Sequence, residues 1–185
     1  MASNRNPGQK DKRSKLDLEL FLLALLQRGI NTPYSLHANA GLSPGATIPV
    51  LKRLSGGGYV QRGNPGVRER AEYQVTAKGL RHLNATWPGM LESSIPTDME
   101  AILRTASLAI LCGAERKSVA AYLKRAARER ASNARGRKKE VLTGTNEHLG
   151  LYSWMQSVHV KARHTSEVKA LRQLASALLN RKSSL

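Results

Sequence analysis

The chain has 185 residues, of which 30 are lysine or arginine and 13 are aspartate or glutamate, so its formal net charge is +17 at pH 7. A soluble domain of this size needs far less charge to stay in solution, so the excess favours a polyanionic partner. The single cysteine, Cys112, excludes an intrachain disulfide and is consistent with a reducing, cytoplasmic compartment.

The first 15 residues predict a disordered basic arm. They carry five basic residues and one acidic residue and show no hydrophobic periodicity, so no apolar face can hold them against a core. An arm of this kind either follows phosphates or is simply solvated, and the sequence leaves both interpretations open.

Three helices are predicted next. Residues 16–27 are almost continuously apolar, as expected of a helix that is buried on most of its circumference. Thr32 followed by Pro33 indicates the start of a second helix, and Ser43 followed by Pro44 indicates the start of a third. Pro49 falls inside the third pattern. We expect it to stiffen the helix rather than break it, because the backbone bond that it forgoes is at most the first or second internal one.

A β-hairpin and a fourth helix are predicted after three consecutive glycines, 56–58. Residues 59–62 and 67–75 have strand character around the turn-rich segment "GNPG". Thr76 is a plausible cap for the helix that follows. Three helices and a hairpin within about 60 residues are typical of a winged helix-turn-helix domain, whose third helix enters the major groove of DNA. We assign this domain to residues 16–87.

The second half of the chain predicts a helical region after a linker at 88–96. Helices are expected over 97–112 (capped by Thr97), 115–133, 147–163 and 165–181. In the last helix four apolar residues have an a/d spacing for two heptads. Either an internal helix contact or a dimer contact explains this spacing. The residues are Val168, Leu171, Ala175 and Leu178.

The segment "SPGATIPVLKRLSGGGYV" followed by "RAEYQVTAKGLRHL" resembles the PadR-type winged-helix transcriptional regulators. The order of Gly45, Pro49, Leu51, Arg53 and Leu54 matches that family, as does Tyr73, Thr76 and Gly79 after the wing. The resemblance implies a dimeric repressor whose C-terminal helices dimerise and, in some members, enclose a small effector. It also implies a bacterial cytoplasmic, nucleoid-associated location. The overall expectation is a mainly α protein: an N-terminal winged helix-turn-helix with three helices and a β-hairpin wing, then a helical dimerisation bundle at 97–185.

The third helix has two predicted faces. Thr47, Val50, Leu51 and Leu54 share the side that should pack on the first two helices. Ile48 stands where the family often has a tyrosine, and we expect it to pack rather than to contact DNA. The opposite, outward side and the cap supply the predicted DNA contacts Ser43, Gly45, Ala46, Pro49, Lys52 and Arg53.

Further DNA contacts are predicted on the wing and on the second helix. An arginine at a hairpin tip can sense a narrow minor groove, and the second helix of such folds crosses the phosphate backbone. Tyr34 could equally well be a core residue. The predicted residues are Arg62, Asn64, Arg68 and Arg70 on the wing, with Tyr34 and Ser35 on the second helix.

A second basic segment lies between residues 116 and 139, which hold ten basic residues and one acidic residue. An apolar stripe of Val119, Ala120, Leu123, Ala126 and Ala127 should pack it on the bundle. Its basic end is a solvated face, a clamp for an acidic protein, or a second phosphate contact that raises affinity without reading sequence. The candidate contacts are Arg128, Arg135, Arg137, Lys138 and Lys139.

No motif for catalysis, a cofactor or a metal is recognisable, and we predict that the chain is not an enzyme. Tyr152, Trp154 and Met155 could line an effector pocket, although a bundle core explains them better. We expect a sequence-specific regulator of transcription with double-stranded DNA as partner and no membrane. That it is a dimeric repressor is implied by the family resemblance. The rivals are a sequence-neutral DNA-packaging or RNA-binding protein and a basic module that binds an acidic protein.

Overall fold

The structure is a computed structural model that describes the backbone of residues 7–63, 71–136 and 147–180, and side chains over 16–63, 71–132, 155 and 158–180. The fold is mainly α with one small antiparallel sheet. The elements in chain order are α1 (Pro7–Gln27), α2 (Pro33–Ala40), α3 (Pro44–Gly56), β1 (Val60–Arg62), β2 (Tyr73–Val75), α4 (Ala77–Glu92), α5 (Met99–Leu111), α6 (Arg116–Gly136) and α7 (Glu147–Asn180). Residues 1–114 and 115–185 form two compact units, called here the N-terminal and C-terminal units.

The N-terminal unit is a winged helix-turn-helix built around α1. Every residue from Leu20 to Leu26 is buried, because α3, α4, α5 and β2 all pack against this helix. The predicted caps of α2 and α3 are confirmed: the Thr32 side chain accepts from the backbone N–H of Ser35, and that of Ser43 accepts from Ala46. Each cap satisfies a backbone donor that the helix itself cannot bond.

The start of α1 corrects the predicted arm. The helix begins at Pro7, so the prediction of disorder over 1–15 is wrong for residues 7–15; residues 1–6 lie outside the described residues. Proline suits the first position of a helix because its fixed φ is already helical. Lysine, arginine and glutamine propagate a helix well once its buried end is anchored.

The end of α4 corrects the predicted linker at 88–96. The helix runs through Pro88 to Glu92, and Ser93 caps it with its N–H donating to the carbonyl of Gly89. The exposed Pro88 is tolerated within the helix, while Met90 is buried on the other side. The Pro-Gly pair therefore interrupts the hydrophobic pattern without ending the helix.

The first helix of the predicted second domain belongs to the N-terminal unit. Helix α5 packs against α1 and α4, and the boundary between the units follows Ala114. Its N-cap is Asp98, whose carboxylate accepts from the N–H of Ala101 at 3.0 Å; the prediction of Thr97 is wrong by one residue. At the other end, the Arg28 guanidinium donates to the carbonyl of Leu111 at 2.6 Å, where the helix dipole favours a cation.

The C-terminal unit consists of α6 packed against α7. The predicted helices 147–163 and 165–181 are one helix, and Thr165 satisfies its hydroxyl by donating to the carbonyl of Lys161 at 2.8 Å. Leu171 and Ala175 are fully buried within this unit. The a/d spacing of α7 therefore serves an internal contact.

Candidate nucleic-acid interface

The N-terminus of α3 is held by side chains that cap its backbone. The Ser43 Oγ accepts from the N–H of Ala46 at 3.3 Å, and the Thr47 hydroxyl lies 3.2 Å from the Ser43 carbonyl. Pro49 lies in the second turn, so the bond that it forgoes is the one to the carbonyl of Gly45, the third of the helix. The expectation of at most the second bond is wrong by one, because the helix begins at Pro44. Because Gly45 is exposed, water can satisfy that carbonyl, and the proline costs little.

The two predicted faces of α3 are confirmed in their burial. Thr47, Val50, Leu51 and Leu54 are buried, while the opposite side is open to solvent. Ile48 is 38% exposed, so the expectation that it packs is wrong. At about 100° per residue, Ile48 lies about 100° from the middle of the buried stripe, at the edge of the outward side. We call the exposed side the outer face of α3: Gly45, Ala46, Pro49, Lys52 and Arg53.

Arg53 is bonded to Glu19 of α1. The carboxylate Oε1 accepts from Nε at 2.7 Å and forms an ion pair with Nη2, which lies 2.6 Å away. The arginine side chain nevertheless remains 49% exposed, so part of its guanidinium still faces solvent. This partner was not foreseen, because 34 residues separate the two positions in sequence.

The two predicted contacts of α2 have different surroundings. Tyr34 is 63% exposed, which excludes the core interpretation. Ser35 is occupied by the capping box: its Oγ accepts from the N–H of Thr32 at 3.0 Å, while its own N–H donates to the Thr32 Oγ1. The Ser35 hydroxyl therefore already has a structural role at the start of α2.

The base of the wing is an antiparallel pair of strands. Val60 pairs with Val75 and Arg62 with Tyr73, and the N–H of Gly63 extends the ladder by donating to the carbonyl of Glu72 at 2.8 Å. Arg62 is exposed on this ladder. The other predicted wing contacts lie outside the described residues: Asn64, Arg68 and Arg70.

The wing is fixed to α3 and α4 by close backbone contacts. The N–H of Thr76 donates to the Tyr59 carbonyl at 3.0 Å, and its hydroxyl lies 2.7 Å from the Gly58 carbonyl. Gly58 has φ +72°, a conformation that favours glycine. A Cβ at Gly79 would meet the Tyr59 carbonyl oxygen at 2.1 Å. The matched motif residues Thr76 and Gly79 thus permit the strand and α4 to approach each other.

One basic residue beside the wing was missed from sequence. The Lys78 ammonium donates to the Gly57 carbonyl at 2.8 Å and lies 4.7 Å from the centre of the Tyr59 ring. Both partners precede β1, so this lysine ties α4 to the end of α3. In the sequence Lys78 looks like any exposed lysine of α4. The pattern of α4 does not show that Gly57 and Tyr59 lie next to it in the fold.

Helix α6 covers most of the second basic segment. Its predicted apolar stripe is buried, and the Arg130 side chain is buried in an ion pair with Glu167 of α7. The same carboxylate accepts from Arg163 Nε at 3.0 Å. Arg128 is exposed. Arg135 lies in α6, but its side chain is outside the described part of the chain. Arg137, Lys138 and Lys139 lie outside the described residues altogether.

Three other features were considered: a metal site, a membrane-spanning helix and an effector pocket. Within the described ranges, no three His, Cys, Asp or Glu side chains gather as a metal site would require, and none of the helices is long and apolar enough to cross a membrane. Met155 is 57% exposed, so it does not belong to a bundle core. The side chains of Tyr152 and Trp154 lie outside the described part of the chain.

Comparison with known proteins gives one structural likeness. Neither a protein-family model nor a curated protein matches the chain. Among solved structures, the crystal structure of Bacillus subtilis PadR in complex with operator DNA is similar, with a TM-score of 0.36 and 17% sequence identity over 87% of this chain and 98% of that chain. Agreement at this level carries no argument about function, so the function proposed below rests on the residues of this chain.

Proposed function

We propose that the chain is a sequence-specific regulator of transcription that binds double-stranded DNA through the outer face of α3. The observation that carries the proposal is the division of this helix into a fully buried side and an exposed side. The exposed side has small residues at its N-terminal end and two basic residues about two turns later. It is held rigidly by a capped start and a buried stripe.

The small residues favour insertion of the helix into the major groove. Gly45 and Ala46 extend little beyond the backbone, so base edges can come close to it, and B-DNA has a major groove wide enough for one helix. The N-terminal end of a helix also attracts phosphate through its unbonded N–H groups and its dipole. Pro49 adds rigidity, because its ring restricts the backbone in the second turn.

The basic residues supply charge beside this surface. Lys52 is exposed and offers a point charge for phosphate, whereas Arg53 has a planar fork suited to phosphate or guanine. In the proposal, Arg62 and the wing residues Asn64, Arg68 and Arg70 contact the adjoining minor groove. Tyr34, Ser35 and Ser43 contact the backbone on the α2 side.

We include a homodimer in the proposal. Met155 and Val158 are 57% and 49% exposed and lie three residues apart, so they share one side of α7. That side differs from the one on which Leu171 and Ala175 are buried. A second copy would cover these apolar side chains and give a dimer with two-fold symmetry, which suits a palindromic DNA site.

Sedimentation equilibrium of the full chain tests the dimer. We expect the wild type to be dimeric and the variant Met155→Lys/Val158→Lys to be monomeric. A monomeric wild type at micromolar concentration contradicts the proposal.

Selection of bound duplexes from a random DNA pool at near-physiological salt distinguishes a sequence-specific regulator from a sequence-neutral packaging protein. We expect enrichment of a palindromic consensus, because base edges read by α3 add preference to the phosphate term. Binding without enrichment contradicts the proposal and favours packaging. A reporter carrying the selected site tests repression, the regulatory outcome that we propose.

A further inference from the structure

The outward side of α6 carries a line of three exposed basic residues: Lys117, Lys124 and Arg128. Their separations of seven and four residues correspond to about two turns and one turn, which places them on one side of the helix. At about 1.5 Å of rise per residue, the line is about 16 Å long. We call this line the α6 stripe.

The surroundings of the α6 stripe leave its charge uncompensated within the described part of the chain. No ion pair or hydrogen bond joins its side chains to any described residue, whereas Arg130 and Arg163 both bond Glu167. Two exposed positions near the stripe are small, Ala121 and Ser132. A large polyanion can therefore approach all three basic residues along the helix.

The burial pattern of α6 decides between the classes of polyanion. A helix that binds at a membrane surface inserts an apolar face, but Val119, Leu123 and Ala126 are already buried within the unit that α6 forms with α7. A protein interface usually has an apolar or aromatic centre, and the described part of α6 exposes no large apolar residue. Nucleic-acid interfaces, by contrast, are polar and strongly positive.

We propose that the α6 stripe binds the phosphate backbone of duplex DNA without reading bases. The stripe lies in the C-terminal unit, so this contact is additional to that of the outer face of α3 and does not depend on sequence-specific reading. Lys117 and Lys124 were not among the contacts predicted from sequence. Their spacing of i, i+7 and i+11 with Arg128 is the signal that identifies them.

The test is the salt dependence of binding to a random-sequence duplex. The full chain is compared with the variant Lys117→Gln/Lys124→Gln/Arg128→Gln between about 50 and 200 mM salt, since each phosphate contact contributes about 0.9 to the slope of log K against log salt. We expect the slope to fall by about 2 to 3. An unchanged slope overturns the proposal.

A matched variant controls for net charge. Lys161→Gln/Lys169→Gln/Arg172→Gln removes the same charge from exposed positions on α7, and we expect it to change the slope by less than one contact. An equal fall in both variants shows an effect of total charge and overturns the assignment to α6. Circular dichroism of both variants checks that the helices are retained.

Two further measurements distinguish this proposal from the function proposed for α3 and from binding to other polyanions. Arg53→Gln is expected to weaken preference for the selected consensus, because a base contact carries sequence preference and a phosphate contact does not. It should leave unchanged the part of the salt slope that the α6 stripe contributes. Loss of the consensus with an unchanged stripe contribution therefore bears on the proposed function of α3 alone. Poly-glutamate and phosphatidylserine vesicles are the competing probes. If the stripe variant loses binding to either probe but not to DNA, the proposal is wrong.

Discussion

Arg53 of α3 and Glu19 of α1 meet at a single carboxylate oxygen, which accepts from Nε at 2.7 Å and lies 2.6 Å from Nη2. The pair lies at the surface, where such an interaction contributes at most about 1 kcal/mol. A phosphate can therefore displace the carboxylate at small cost. Glu19 orients the guanidinium in the free protein and places a negative charge beside the proposed interface.

Replacement of Glu19 by glutamine should strengthen DNA binding. Glu19→Gln removes a charge that repels phosphate and leaves the Arg53 guanidinium freer to bind one. We therefore expect the affinity for duplex DNA at low salt to rise about two- to fivefold, which corresponds to the energy of an exposed ion pair. Fluorescence anisotropy with a labelled duplex measures this. Glu92→Gln, at an exposed position of α4, controls for net charge, and an equal gain in both variants would refute the local effect.

A methyl group at Gly79 should destabilise the winged unit. The added Cβ would meet the Tyr59 carbonyl oxygen at 2.1 Å and the Val75 Cγ1 at 2.8 Å, and overpacking of this kind costs about 1–3 kcal/mol. Gly89→Ala in the same helix has nothing within 4 Å of the new Cβ and should stabilise by about 0.5–1 kcal/mol. Urea unfolding compares the two, and the same sign for both would contradict the close approach.

The two arginines that share Glu167 should differ in their contribution to stability. Arg130 is buried, so Arg130→Gln leaves a poorly compensated carboxylate and should cost about 3 kcal/mol of unfolding free energy. Arg163 is 61% exposed, so Arg163→Gln should cost less than about 1 kcal/mol. Urea unfolding of the C-terminal unit, followed by α6 and α7 helicity, measures both. Equal costs would contradict the assignment of Arg130 as the structural partner.

Cys112 should react slowly with alkylating reagents. Burial raises the pKa of its thiol, and the nearby Arg28 lowers it by less, so the thiol stays protonated at neutral pH and little thiolate is available. Because the folded state holds this proton more tightly, its contribution to stability should be lost as pH rises above the unfolded thiol pKa. Iodoacetamide labelling, with the urea-unfolded chain as reference, checks this; equal rates in the two states would contradict it.

The local features of the winged unit were predictable because their causes are local. Thr32 and Ser43 cap helices through residues three positions away, and the faces of α3 follow from the period of the α-helix. The burial of Thr47 and Leu54 and the exposure of Lys52 therefore came from sequence. Ile48 did not, because its exposure depends on how much of α3 its neighbours cover.

The long-range features were not predictable because the pattern is compatible with several partners. The a/d spacing of Leu171 and Ala175 fits α6 as well as a second copy, and only packing decides between them. Pro88 looked like a helix terminator, yet the buried Met90 keeps α4 intact beyond it. The bond between Arg53 and Glu19 joins two helices whose relative position no local pattern specifies.

The central claim, that the outer face of α3 lies against DNA, is tested most directly by Ala46→Glu. Ala46 is exposed at the third position of α3, where a glutamate completes a capping box with Ser43 and should preserve or raise helix stability. Ala85→Glu makes the same change at an exposed position of α4. Anisotropy titration of a duplex should show at least about tenfold weaker binding for Ala46→Glu than for Ala85→Glu, because the new carboxylate faces phosphates and base edges. Equal affinities of the two folded variants would contradict the claim.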